Sequence, residues 1–146
     1  MLRIEYKIIT QYLGEIEDIT DEEIHYDFLP GNVSLLSSNI AIEMEWEWIP
    51  LLDFAYCLKR IVSKLKTNDN TEELFEFTEN AETLKFSKQQ GSLKIFASFS
   101  SIIIETTYID FEKAVYEFNI NISKHIRKNI SDNPKSILQK YLYIEE

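Results

Sequence analysis

The nine residues Ile40-Ala41-Ile42-Glu43-Met44-Glu45-Trp46-Glu47-Trp48 place Ile40, Ile42, Met44, Trp46 and Trp48 at even positions and Ala41, Glu43, Glu45 and Glu47 at odd ones. A helix, with 3.6 residues per turn, would spread both sets around its circumference. An extended strand, with a period of two, gives each set its own face. Same-face side chains on a strand lie about 6.6–7 Å apart, so three carboxylates in file repel one another unless water or a cationic partner screens them. The segment therefore reads as a strand with a greasy inner side and an acidic outer side that is either solvated or meets a basic surface.

The 146 residues suit a single domain, 1–146, and an apolar content of 45% is enough for a substantial core. With 25 acids against 15 bases the formal charge is −10. That balance argues against binding nucleic acid or anionic membrane and favours a basic protein partner. The excess is concentrated: residues 1–49 hold 11 acids and 2 bases, whereas residues 50–146 hold 14 acids and 13 bases. The lone cysteine, Cys57, has no internal disulfide partner, the alternating start Met1 to Tyr6 lacks the apolar core of a secretory signal, and no apolar run approaches the roughly 20 residues that span a bilayer. A cytoplasmic location is the expectation. Twenty-one isoleucines and nine asparagines fit an AT-rich, bacterial coding sequence.

Leu2, Ile4, Tyr6 and Ile8 alternate with Arg3, Glu5 and Lys7, predicting an opening strand that ends near Thr10. Gln11 to Asp21 has no clean period and reads as a loop or a short turn of helix. Ile24, Tyr26 and Phe28 alternate with His25 and Asp27 up to Pro30-Gly31-Asn32, which predicts a strand and a turn, with Val33 to Leu35 as the return strand. After Pro50 the period changes to 3.6. Leu51, Phe54, Leu58, Ile61 and Leu65 form the apolar stripe of a helix, widened by Ala55 and Val62, and Asp53, Lys59, Arg60, Ser63 and Lys64 lie opposite.

A meander of four strands follows, Leu74 to Thr78, Thr83 to Ser87, Leu93 to Phe99 and Ile102 to Tyr108, its links too short for parallel crossovers. Asp110 reads as the cap of a helix whose buried stripe is Phe111, Val115, Phe118, Ile122 and Ile126, and Asn133-Pro134 starts a last short helix carrying Ile137, Leu138, Tyr141 and Leu142. The expected fold is α+β. It has a largely antiparallel sheet of about six to seven strands, one helix after the N-terminal strands, and two C-terminal helices packed on one face.

No residue pattern names a reaction. There is no Gly-x-Ser-x-Gly elbow, and three glycines leave no phosphate-cradling loop. His25 and Asp27 would share one strand face but supply at most two ligands where zinc takes three or four. The carboxylates of Glu43, Glu45 and Glu47 diverge along a line where calcium or magnesium needs convergence. No catalytic residue, metal or cofactor is expected. Cys57, between stripe residues Phe54 and Leu58, reads as a small buried thiol. His125 and the basic residues Lys124, Arg127, Lys128, Lys135 and Lys140 read as the solvated side of terminal helices. Trp46 and Trp48 read as core anchors against the helix after Pro50, with an exposed binding patch as the alternative.

A small, acidic α+β chain carrying this glutamate row resembles the small immunity proteins that bacteria encode beside polymorphic or contact-dependent toxins, a resemblance of size, charge and element order over the whole chain. Members often neutralise nuclease toxins by presenting carboxylates and aromatics to a basic cleft. The resemblance implies a non-catalytic inhibitor whose partner is a basic protein, such as a cognate toxin, rather than nucleic acid or membrane. The partner-binding residues would be Glu43, Glu45 and Glu47 with Glu15, Glu17, Asp18, Tyr12 and Tyr26 around them. The alternative is a self-associating structural or regulatory module that dimerises through a sheet edge or the terminal helices, and a third class, a small-molecule enzyme or carrier, would be signalled by a deep pocket lined with these Glu and Tyr residues.

Overall fold

The computed structural model describes residues 1–10, 19–130 and 137–142. Among these residues seven strands form two antiparallel sheets rather than the single sheet expected from the sequence. Strands β1 (Arg3–Ile8), β2 (Pro30–Ser37) and β3 (Ile40–Pro50) make the first, and β4 (Asn70–Glu76), β5 (Thr83–Gln89), β6 (Ser92–Ala97) and β7 (Ile103–Thr107) make the second, each in sequence order. Helices α2 (Leu51–Lys66) and α3 (Tyr108–Asn129) pack on each other, α2 also against β2, β3 and β4, and α3 against β1, β6 and β7. None of the helices in the described residues is long and apolar enough to cross a membrane.

Both long helices form where their apolar stripes require. Leu51, Phe54, Leu58, Ile61 and Leu65 of α2 are buried, as are Phe111, Val115, Phe118, Ile122 and Ile126 of α3, each side chain contributing about 2 kcal/mol of apolar burial. Thr107, rather than Asp110, caps α3: its Oγ1 accepts from the Asp110 amide at 3.1 Å, leaving Asp110 in the first turn where the helix dipole favours a carboxylate. The buried Asn119 Nδ2 donates to Ala55 O and Val115 O, tying α3 to α2. At the other end of α2, the buried Lys88 ammonium donates to Leu65 O at 2.7 Å and Asn68 O at 2.9 Å and lies 4.6 Å from the centre of the Tyr108 ring. A cation thus adds to the backbone bonds of the last-turn Leu65 carbonyl at the negative end of the helix dipole.

The segment read as a strand from Ile24 to Phe28 is instead a helix, α1 (Asp21–Tyr26). Three alternating apolar residues are too few to define a period, and the stronger local signal is the capping pair Thr20 and Glu23. Thr20 Oγ1 accepts from the Glu23 amide at 3.1 Å and also meets Glu23 Oε1 at 3.3 Å. Pro30-Gly31-Asn32 is correspondingly not a turn but the start of β2. Pro30 pairs with Pro50, where neither residue has an N–H to continue the ladder. Gly31 faces Ile8, and a Cβ there would stand 2.2 Å from Lys7 O and 2.8 Å from Leu51 Cδ1, so the close strand approach needs glycine. Of the last expected helix, the described part is one 3₁₀ turn, Ile137–Lys140.

The alternating segment is a strand, β3, with Glu43, Glu45 and Glu47 exposed and Ile42 and Met44 buried. It is not regular throughout. Between the pairs Val33–Met44 and Gly31–Ile49, β2 advances two residues and β3 five. In that stretch Glu47 takes φ 68°, and its amide donates to Asn32 Oδ1 at 2.7 Å instead of to the ladder. Trp46 and Trp48, in the same stretch, are half-buried and stack at 5.6 Å. Trp46 also meets Phe77 and Phe99 edge-on, both at 4.9 Å, so the indoles seal the seam between the two sheets.

Candidate functional site

The open face of the first sheet is not uniformly acidic. Directly paired residues share a face, so Glu43 lies beside Ser34 and Glu5, and the neighbouring rows carry Arg3 with Leu36 and Ala41, and Lys7 with Asn32. Arg3 reaches Glu5 at 3.3 Å, an exposed pair of little energetic worth. The irregularity at Glu47 takes the third carboxylate out of the regular file. Tyr12, Glu15, Glu17 and Asp18 lie outside the described residues.

Tyr26, the remaining expected site residue, is the last residue of α1 and is 43% exposed. Around it Glu22, Glu23 and Asp27, together with Thr20 and with Glu79 from the link between β4 and β5, line a hollow of about 460 Å³. No basic side chain is among those lining residues. Four carboxylates around one aromatic ring suit a cationic side chain, which the ring face and the acids attract together. Glu79 joins the hollow only through the fold, and no sequence pattern marks it. The capping signature Thr20-Asp21-Glu22-Glu23 was the available clue to the helix that gathers the others.

A six-residue helix has no independent stability, and three contacts hold α1. Ile24 is fully buried beneath it. At its start, Asp21 accepts from Lys140 Nζ at 2.8 Å and from the Tyr141 hydroxyl at 3.0 Å. These bonds hold the Asp21 carboxyl below the usual carboxylate range, while desolvation, and then the bond to Asp21, raises the Tyr141 phenol. At its end, His25 Nδ1 lies 3.0 Å from Asp53 Oδ2.

Asp53 falls on the outward side of the α2 stripe, yet it is buried to 7% exposure because α1 covers it. Burial raises its carboxyl above the usual range, and the His25 bond offsets only part of that rise. Its place in the first turn of α2 lets the helix dipole help hold the charge.

The Cys57 thiol also faces Asp53 Oδ2, at 3.9 Å, so the fold brings the histidine and the cysteine to one carboxylate although the sequence separates them widely. Burial, and then the Asp53 charge, push the thiol up to about 12, and a thiol protonated at neutral pH is a poor nucleophile. In a working nucleophile–histidine–acid array the histidine stands between the other two. Here the acid does. Among the described residues no group of three or more His, Cys, Asp or Glu side chains is placed to hold a metal ion.

Comparison of the chain with protein-family models, with curated proteins and with solved structures finds no match, so its functional reading rests on its own residues.

Proposed function

We propose that this chain is a non-catalytic protein-binding module, an immunity-type inhibitor that acts in the bacterial cytoplasm by occluding a basic partner such as a toxin nuclease. One observation carries the reading: the hollow around exposed Tyr26 is lined by Glu22, Glu23, Asp27 and Glu79 with no cation among its described lining residues. The acids steer a cationic surface into encounter, an arginine or lysine of the partner enters the hollow, and Tyr26 packs on it. Glu43, Glu45 and Glu47 extend the negative surface.

The test uses the polypeptide encoded by the adjacent reading frame as the partner. Reversing Glu22, Asp27 and Glu79 to lysine together, which leaves the Thr20–Glu23 cap in place, is expected to lower the association rate about tenfold or more at low salt, with melting temperature nearly unchanged. Reversing Glu43 and Glu45 instead should have a smaller effect, because Arg3 and Lys7 share that face. Equal association rates for the triple variant and the native chain would discard the hollow as the docking site.

A second reading, self-association, is favoured by the open side of the second sheet. There Leu74, Lys85, Phe96 and Ile103 form one row across four strands, with Leu74 61% and Ile103 44% exposed. Light scattering coupled to size-exclusion chromatography separates the two readings: a concentration-independent monomer supports the inhibitor, and a dimer broken by Leu74→Glu supports the second.

A further inference from the structure

A cavity of about 410 Å³ opens between α2 and α3, within the roughly 300–1,000 Å³ range of small-molecule sites. Two cross-helix hydrogen bonds fix how its walls align. Asn119 Nδ2 meets Ala55 O at one end, and the Tyr108 hydroxyl meets Val62 O at 3.2 Å at the other, so the helices run antiparallel. That alignment puts Lys59 of α2 level with Lys113 of α3. The two ammonium-bearing side chains line the groove from opposite walls, and between them run Val62, Val115, Ile109 and the Tyr116 ring. Ile109, 71% exposed, is the most open apolar side chain of α3.

The charge on the walls is unbalanced. No ion pair to Lys59 or Lys113 occurs among the described residues. Glu112, the one carboxylate among the described lining residues, is held at the Tyr108 end, where its Oε2 lies 3.2 Å from the Tyr108 hydroxyl. Lys59 rests 5.2 Å from the centre of the Tyr56 ring and is partly stripped of water, which lowers its ammonium below the ordinary lysine value. A cation that is partly desolvated and lacks an anion beside an apolar trough is the complement of a molecule with a negative head and a greasy tail.

We propose that the α2–α3 groove binds a free aliphatic monocarboxylate, its carboxylate clasped by Lys59 and Lys113 and its chain laid on Val62, Val115 and Ile109. The site uses none of the residues of the acid-lined hollow, so its success or failure is independent of the inhibitor reading.

Octanoate is the probe, with 1-octanol and n-octylammonium as controls, and the readout is the methyl carbon–proton NMR spectrum of the full chain. Octanoate is expected to shift the methyls of Val62, Ile109 and Val115, while n-octylammonium binds about tenfold more weakly or worse, the loss of one charge-assisted contact. Because Lys113 is exposed and Lys59 only half-buried, and neither is ion-paired among the described residues, Lys59→Gln and Lys113→Gln should fold normally. They are expected to reduce octanoate affinity to that of octanol and to leave octanol unchanged. The proposal is overturned by equal binding of octanoate and octylammonium, by shifts confined to other methyls, or by the absence of any shift at millimolar octanoate. It is equally overturned by groove shifts that appear with protein concentration alone, since a second copy of the chain would then be the occupant.

Discussion

A carboxylate withdrawn from water makes Asp53 the side chain whose ionisation is most exposed to pH. Its folded-state pKa is raised, chiefly by burial, so above that value the folded protein carries the full penalty of a buried charge. As pH falls through the raised pKa toward the ordinary carboxylate value, the folded state takes up a proton that the unfolded chain does not, and stability from this group rises. Asp21 works in the opposite sense. Its pKa is lowered by Lys140 and Tyr141, so its contribution is present above the ordinary carboxylate value and fades as pH falls through the lowered one. Asp53→Asn isolates the first effect, because the amide keeps an acceptor for His25 and carries no charge. The melting temperature of the native chain minus that of the variant is expected to increase as pH is lowered from neutral toward the ordinary carboxylate range. A difference that stays flat, or shrinks, would show that the His25 bond outweighs the burial.

Among the elements, α1 is the one whose existence depends on a few contacts, and it carries two of the four acids in the hollow and positions a third, Asp27, at its C-terminal cap. Isolated helices shorter than about 12–15 residues are marginal in water, so its cap and its anchors decide whether it stays folded. Thr20→Ala removes the cap at a cost of about 1 kcal/mol, a roughly fivefold rise in local opening. Hydrogen exchange at the Ile24 and Asp27 amides, whose acceptors are backbone carbonyls, should accelerate by about that factor, while α2 and α3 amides hold their rates. Uniform acceleration across all three helices would mean that α1 opens only when the whole chain does.

The same element shows what the sequence could and could not disclose. The α2 and α3 stripes repeat over four or more turns and were legible, as was the alternation of β3, because each pattern is long compared with its period. Over the six residues of α1 a strand pattern and a helix pattern differ by one or two side chains, and Thr20 with Glu23 should have outweighed the alternation. The burial of Asp53 and Lys88, and the arrival of Glu79 beside Tyr26, were not legible at all. They depend on which element covers which, and no local window contains that.

Across the whole molecule, the expected single sheet divides in two because β3 loses its register after Met44 and α2 then carries the chain away before β4 begins. Among the described residues no backbone hydrogen bond joins the two sheets, although β7 lies against β2 and β3. Cooperativity between them must therefore come from side chains and from the helices that span both. Trp46 is the side chain best placed to supply it. It belongs to the first sheet and meets Phe77, just beyond β4, and Phe99, just beyond β6. Trp46→Ala is expected to cost about 2–3 kcal/mol, less than a fully buried tryptophan because the ring is only half-buried. Trp48 remains as a single fluorescent reporter on the first sheet, while far-ultraviolet circular dichroism follows all elements. In the native chain the two urea transitions should coincide, as for a two-state domain. In the variant the fluorescence transition should come first, because the first sheet, with three strands and one open face, has lost its two closest ring contacts with the second and keeps only the longer one from Trp48 to Phe77. If the two transitions remain superimposed at the lower midpoint, then α2 and α3 alone couple the sheets, and the tryptophan pair is only a seal against water.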